Sequence, residues 1–169
     1  VIINDELCCA CLIAAGQING VNIITVEGLQ QNGCLSNLQK SFLENGAIQC
    51  GICTPGMLVS AAWLLSKNPQ PTRHDVEEAI GGVLCRCTGY SKIISAICNF
   101  ANKKQPTNQS SQLEGQTIGK NLERLDGLEK VIGTDKFGAD AFPADTLIAQ
   151  LVRSPFSHAR FKIGDTENF

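Results

Sequence analysis

Two short pairs of cysteines carry the clearest chemical signal in this chain. Two residues separate Cys50 from Cys53 in the first pair, and one residue separates Cys85 from Cys87 in the second. In an extended segment residues i and i+2 project to the same side, so the second pair is predicted to face one site while Arg86 turns away. Four convergent thiolates form a site for a metal ion or an iron–sulfur cluster, and the thiolates alone do not choose the metal.

The residues between the two pairs are predicted to form two helices that fold back and bring the pairs together. Thr54 as N-cap with Pro55 at the first helical position predicts a helix that continues through Leu65. Thr72 as N-cap, with Asp75 three residues later, predicts the start of the next helix. The last thiol of the first pair would then lie at the mouth of a helix, where free N–H groups and the helix dipole favour a negative sulfur.

One more helix is predicted on each side of this central part. Ser36 and Gln39 fit a capping box, and Gly46 suits the position that follows a helix C-terminus. A last helix is predicted after Thr88-Gly89-Tyr90, with one apolar face formed by Ile93, Ile94, Ile97, Cys98 and Ala101. The predicted fold class is therefore mainly α, a four-helix bundle flanked by β fragments of two incomplete domains.

The two ends of the chain lack the helical pattern. Residues 1–29 are predicted to form short strands with a hairpin turn at Asn4 and Asp5, residues 30–104 the bundle, and residues 105–120 a polar linker. Residues 121–169 are turn-rich, with strands predicted at 146–153 and 159–163. Because neither end supplies a layer to cover its apolar side chains, we expect the chain to be a fragment and both ends to depend on sequence outside it.

Composition excludes several classes of function. The chain has 169 residues and a net charge of −2, with no basic stripe that would attract nucleic acid. Its longest apolar run, residues 7–15, is too short to span a bilayer, and we predict no membrane partner. The nine cysteines are an odd number without a signal peptide, so a cytoplasmic, reducing setting and metal binding are favoured over disulfides.

The sequence around both cysteine pairs resembles one family. Residues 46–57, Gly-Ala-Ile-Gln-Cys-Gly-Ile-Cys-Thr-Pro-Gly-Met, together with residues 84–90, Leu-Cys-Arg-Cys-Thr-Gly-Tyr, resemble the helical 2Fe–2S domain of the molybdenum hydroxylases, the xanthine dehydrogenase and aldehyde oxidoreductase family. Residues 1–29 resemble the last third of the plant-type ferredoxin domain of that family. Residues 124–133 and 151–160 resemble the start of its molybdenum-binding subunit.

The resemblance implies a specific role for the chain. It implies that Cys50, Cys53, Cys85 and Cys87 bind one 2Fe–2S cluster. It also implies that Gln49 and Cys87 lie against the molybdopterin, that the segment relays electrons from the molybdopterin centre during hydroxylation of a heterocycle or an aldehyde, and that the catalytic groups lie elsewhere in the enzyme. The implied partner is a molybdenum-binding domain or subunit. The resemblance also implies possible onward electron acceptors, which are a second 2Fe–2S cluster, FAD in a flavin subunit, or an external acceptor. Of the ligands of that second cluster only Cys11 is present.

Two alternatives remain open at this point. A freestanding 2Fe–2S electron carrier would use the same cluster but would have no need for residues 121–169. A zinc-stapled interaction module would use the same four thiolates and would be colourless. Cys98 lies on an apolar helix face and is interpreted as a core residue rather than a reactive thiol.

Overall fold

The computed structural model describes residues 1–30, 32–103 and 123–165. The chain divides into two compact units, Val1–Asp135 and Lys136–Phe169. Within the described residues, every helix is too short or too polar to cross a lipid bilayer. The predicted linker at 105–120 lies outside the described residues.

A small antiparallel sheet opens the first unit. Its strands are β1 (Ile2–Ile3), β2 (Glu6–Leu7) and β3 (Ile23–Ile24), in the order β2-β1-β3. The predicted hairpin turn is confirmed, because Asn4 and Asp5 between β1 and β2 both have positive φ angles, 47° and 68°. The short strands predicted within residues 1–29 are each two residues long. The rest of this segment includes short 3₁₀ turns, which span Ala10–Leu12, Ala15–Gln17 and, after β3, Glu27–Leu29.

This sheet packs against the helices. Ile2 of β1, and Val26 just after β3, are buried in the same apolar core as the helix side chains. The indole N–H of Trp63 donates a hydrogen bond to the carbonyl oxygen of Asp5 at 3.0 Å. The expectation that the N-terminal strands have no covering layer within this chain is therefore wrong for Ile2, although Leu12 remains exposed.

All four predicted helices are present. They are α1 (Asn37–Glu44), α2 (Thr54–Lys67), α3 (Arg73–Ile80) and α4 (Ser91–Ala101). Both predicted capping boxes form, at Ser36 with Gln39 and at Thr72 with Asp75. Helix α2 begins one residue earlier than predicted, so that Cys53 is its N-cap and the proline is its second residue. Helix α1 packs on α4 and α2 packs on α3 around an apolar centre that includes Phe42, Met57, Leu58, Val76, Ile80, Ile93 and Ile97.

A fifth helix, α5 (Gly127–Ile132), completes the first unit and is not predicted by the sequence pattern. It packs against α1 and α2. Val131 is fully buried, and its carbonyl oxygen accepts a hydrogen bond from the side-chain amide of Gln39 at 2.8 Å. The segment that was assigned to the start of another domain therefore contributes its first helix to the core of the bundle.

The second unit contains neither helix nor strand within its described residues, 136–165. Its hydrogen bonds are local turns, such as Asp140 N–H to the Phe137 carbonyl at 2.7 Å. The predicted strands at 146–153 and 159–163 are not formed, because a strand needs a paired edge and the described part of this unit supplies none. Its large apolar side chains are exposed, among them Leu147, Leu151, Phe161 and Ile163.

Candidate metal centre

The four predicted ligands lie on two loops, which we call the first cysteine loop (residues 45–53) and the second cysteine loop (residues 81–90). The first loop leaves α1 through Gly46, whose φ of +59° ends the helix in the left-handed conformation. Gly51 lies between the two thiols with φ +92°, and its carbonyl oxygen accepts the N–H of Thr54 at 3.1 Å. This turn delivers Cys53 to the N-terminus of α2, as predicted.

A close contact between Gly56 and Val83 brings the two loops together. A Cβ at Gly56 would lie 3.0 Å from Cγ1 of Val83, so glycine leaves the space that the valine side chain occupies. Gly56 is three residues after the second thiol of the first loop, and Val83 is two residues before the first thiol of the second loop. Packing of α2 against the turn after α3 therefore places the two loops side by side.

The four sulfur atoms form two pairs, and each pair joins one loop to the other. The Cys87 thiol donates to Cys50 Sγ at 3.5 Å. The Cys53 thiol is hydrogen-bonded to Cys85. Among the described residues, no three His, Cys, Asp or Glu side chains are grouped so that one metal ion could be held between them. The thiols are thus arranged as two facing pairs rather than as one tight tetrahedron.

Residues at the end of the second loop surround Cys85. Thr88 Oγ1 lies 3.1 Å from this sulfur and the Thr88 N–H points at it at 3.5 Å. The hydroxyl oxygen of Tyr90 accepts the N–H of Cys85 at 2.9 Å. Tyr90 has a positive φ of 64°, an uncommon conformation for a residue other than glycine that costs about 1 kcal/mol or more, and it is the N-cap of α4. The fold around α4 therefore fixes the backbone of the second loop.

The thiols differ in acidity. Burial raises the pKa of Cys53 to about 12, and its hydrogen bond to Cys85 adds to the rise. Burial also acts to raise the pKa of Cys85, but the hydrogen bonds from Thr88 and from neighbouring groups outweigh it and lower the pKa. The pKa of Cys87 is raised because its thiol donates to Cys50. A metal or cluster bound through these four sulfurs would therefore have to displace protons on binding.

One edge of the site is open to solvent. Cys50 and Cys87 are exposed, whereas Cys53 and Cys85 are partly buried beneath them. Gln49 is also exposed, next to the open edge. Arg86 is exposed too.

The remaining cysteines take no part in this arrangement. Cys8 and Cys98 are partly buried and Cys9, Cys11 and Cys34 are exposed. The interpretation of Cys98 as a residue packed at the core is confirmed, and burial raises the pKa of its thiol.

Sequence reasoning missed several residues that shape the site. Gly56 and Val83 bring the loops together, Thr88 and Tyr90 hold the second loop, and Lys130 of α5 lies against the first loop. The first four stand within five residues of a cysteine pair, so proximity in sequence was an available signal. The fifth is 77 residues beyond Cys53, and no local pattern links it to the loop.

Comparison with known proteins agrees with this geometry. Residues 25–98 match the family model described as a 2Fe–2S binding domain. The chain is 50% identical over 97 residues to the nicotinate dehydrogenase small FeS subunit of Eubacterium barkeri, covering 57% of this chain and 62% of that protein. It is 35% identical over 178 aligned positions to the aldehyde oxidoreductase of Megalodesulfovibrio gigas, covering 98% of this chain and 20% of that protein.

Solved structures of aldehyde oxidoreductases also resemble this chain. The aldehyde oxidoreductase from Desulfovibrio gigas superimposes with a TM-score of 0.73 at 34% identity, over 82% of this chain and 16% of that one. Residues 25–98 of this chain therefore belong to the 2Fe–2S binding domain family, and the chain is similar over most of its length to aldehyde oxidoreductases. A second aldehyde oxidoreductase structure, from Desulfovibrio desulfuricans, matches with a TM-score of 0.76 at 32% identity, over 86% of this chain and 17% of that one. The chain thus spans less than two thirds of the length of these aldehyde oxidoreductases and of the small FeS subunit.

Proposed function

We propose that Cys50, Cys53, Cys85 and Cys87 hold one 2Fe–2S cluster and that this domain relays electrons from a molybdopterin centre during hydroxylation of a heterocycle or an aldehyde. The observation that carries the proposal is the arrangement of the four thiols in two facing pairs between the loops. A binuclear cluster takes two thiolates on each iron, so it matches two separate pairs of thiols. A single zinc ion would need all four thiolates around one point, which matches this arrangement less well. The match of residues 25–98 to a 2Fe–2S binding domain supports the same choice of cluster.

When bound, the cluster would supply reversible acceptance and release of one electron at a time. The protein would hold its position and tune its potential through hydrogen bonds to sulfur, burial and nearby charge. The Thr88 N–H and hydroxyl are placed to donate to Cys85 Sγ. Partial burial of Cys53 lowers the local dielectric on the inner side, and Arg86 adds a positive charge on the loop.

Electrons would enter at the open edge of the site. Gln49 and Cys87 lie on this exposed side, and we propose that they contact the molybdopterin of a molybdenum-binding domain or subunit. The exposure of Cys50 and Cys87 supports this assignment, because electron transfer requires close approach of the two centres. A flavin subunit, a second 2Fe–2S cluster or an external acceptor would receive the electrons, and the cytoplasm is the proposed location.

The experiment is anaerobic purification of the full chain, with iron and sulfide determination and a visible absorption spectrum. We expect two irons and two sulfides per chain and a red-brown colour. Replacement of any one of the four cysteines by Ala should abolish the colour and lower the thermal stability, because the cluster joins two loops. Cys98→Ala and Cys34→Ala are the matched controls and should keep the cluster.

Two outcomes would contradict the assignment. Full retention of iron in Cys85→Ala would show that these thiols are not the ligands. A colourless protein with one zinc per chain and no reduction wave would instead establish the zinc-stapled module.

A further inference from the structure

Helix α5, which follows the four-helix bundle in sequence, lies against the first cysteine loop, and the side chain of Lys130 makes the contact. A Cβ at Gly51 would lie 2.7 Å from Cδ, 2.8 Å from Cγ and 3.2 Å from Cε of Lys130. The aliphatic stem of Lys130 therefore fills the space beside the α-carbon of Gly51. Gly51 stands between the two thiols of the first loop, so the stem covers the backbone that sets their spacing.

The charged end of the same side chain is held in place. Lys130 Nζ lies 2.6 Å from Asp135 Oδ2 and 3.2 Å from Asp126 Oδ2. Asp126 in turn accepts a hydrogen bond from Arg124 Nη2 at 2.9 Å. The Lys130 side chain is only 7% exposed, which is unusual for lysine and requires such paired carboxylates.

Hydrogen bonds among Lys130, its two carboxylate partners and Arg124 shift the pKa values of Lys130 and Asp126. The hydrogen bond to Asp135 is the main cause that raises the pKa of Lys130. The hydrogen bond from Arg124 is the main cause that lowers the pKa of Asp126 to about 2. Two positive side chains, Lys130 and Arg124, and two negative ones, Asp126 and Asp135, make up the group, so their formal charges sum to zero. They fix the stem of Lys130 without adding net charge beside the thiols.

We propose that Lys130 is a positioning residue for the first cysteine loop, its stem supporting the Gly51 backbone and its ion pairs holding the stem in place. The inference rests on the cluster site proposed above. Gly51 would then be glycine for two reasons, its φ of +92° and the room that the Lys130 stem takes. Loss of the stem would loosen the spacing of Cys50 and Cys53 and make the bound cluster easier to remove.

The test compares two double variants of the full, cluster-loaded chain that carry equal charge. Lys130→Met with Asp135→Asn keeps a stem of similar length, and Lys130→Ala with Asp135→Asn removes it; each loses one positive and one negative charge. The readouts are the rate of iron release to a chelator and the visible circular dichroism of the cluster. We expect iron release at least about fivefold faster in the alanine double variant, with an altered dichroism spectrum, and near-native values for the methionine double variant.

The control is Lys67→Ala, at the far end of α2 and about 20 Å of helix from the thiols. It should leave both readouts unchanged. If the alanine double variant does not fold, Lys130→Val with Asp135→Asn replaces it, because valine ends before the Cδ atom that lies nearest Gly51. Iron release faster than in the methionine double variant is again expected.

Equal iron release and equal dichroism in the long-stem and short-stem variants would overturn the proposal, even if the short-stem variant melts at a lower temperature. A wild-type chain that binds no cluster would instead overturn the proposed function. The two failures are therefore distinguishable.

Discussion

The side chain of Gln39 joins the bundle to α5, and its removal should have a large and specific effect. Gln39 is fully buried. Its amide nitrogen donates to the Val131 carbonyl oxygen at 2.8 Å, and its amide oxygen accepts the Ser36 N–H at 2.8 Å. The Val131 carbonyl is among the last four of its helix, which have no partner within the helix. Gln39→Ala thus leaves one buried carbonyl and one capping N–H without their partners.

The magnitude follows from these two losses. An unsatisfied buried carbonyl costs about 1–3 kcal/mol, and loss of the capping-box bond about 1 kcal/mol. Gln39→Ala should therefore destabilise the first unit by about 2–4 kcal/mol, a large share of the roughly 5–15 kcal/mol that a domain has. For a chain of this size this corresponds to a fall in melting temperature of about 5–15 °C.

The assay is thermal unfolding of the full chain at one fixed scan rate, with hydrogen exchange of the α5 amides as a local readout. Ser36→Ala is the matched comparison, because it breaks the capping box and leaves the bond to Val131 intact. Lys40→Ala, an exposed neighbour on α1, controls for the substitution itself. We expect the melting temperature to fall at least twice as far in Gln39→Ala as in Ser36→Ala. Hydrogen exchange of the amides over 127–132 should become faster only in Gln39→Ala. Equal falls in the melting temperature of the two variants, or unchanged hydrogen exchange in α5 of Gln39→Ala, would refute the reasoning.

Two further predictions concern the limits of the domain and its open edge. Limited proteolysis of the full chain should leave a resistant core that retains residues 127–132, because Val131 is fully buried in the bundle. This should hold whether or not the protease cuts within residues 104–122. A resistant core that ends before residue 123 and lacks α5, as determined by mass spectrometry, would contradict the prediction. In an assembled enzyme, Gln49→Ala should leave the visible spectrum of the cluster intact and slow its reduction by substrate in stopped-flow measurements. Unchanged reduction kinetics would count against contact of Gln49 with the molybdopterin.

The sequence alone predicted the helices well, because their ends are marked by local chemistry. Ser36 with Gln39 and Thr72 with Asp75 form reciprocal hydrogen bonds within four residues, so their effect needs no tertiary context. The turn at Asn4 and Asp5 was predictable for the same reason, since these residue types tolerate positive φ. The cysteine pairs were visible as spacing, although only the structure shows that each sulfur faces a partner on the other loop.

What the sequence did not predict depends on contacts between distant residues. Helix α5 has six residues and begins at a glycine, so neither length nor propensity marks it. It is held by Gln39, 92 residues away along the chain, and by packing on α1 and α2. The strands predicted at 146–153 and 159–163 failed for the opposite reason. Their alternating pattern is real, but a strand needs a neighbouring edge to pair with.

Three glycines show how α5 is fitted to the rest of the first unit. A Cβ at Gly127 would lie 2.8 Å from Cδ2 of Leu43, and one at Gly133 would lie 2.6 Å from Cγ1 of Val26. The third contact is that of Gly51 with the Lys130 stem. At each point an absent side chain allows another element to approach closely, and each approach involves a different part of the first unit. These close approaches oppose sliding of α5 along the first unit, and they pack the first cysteine loop against a helix that follows the bundle in sequence.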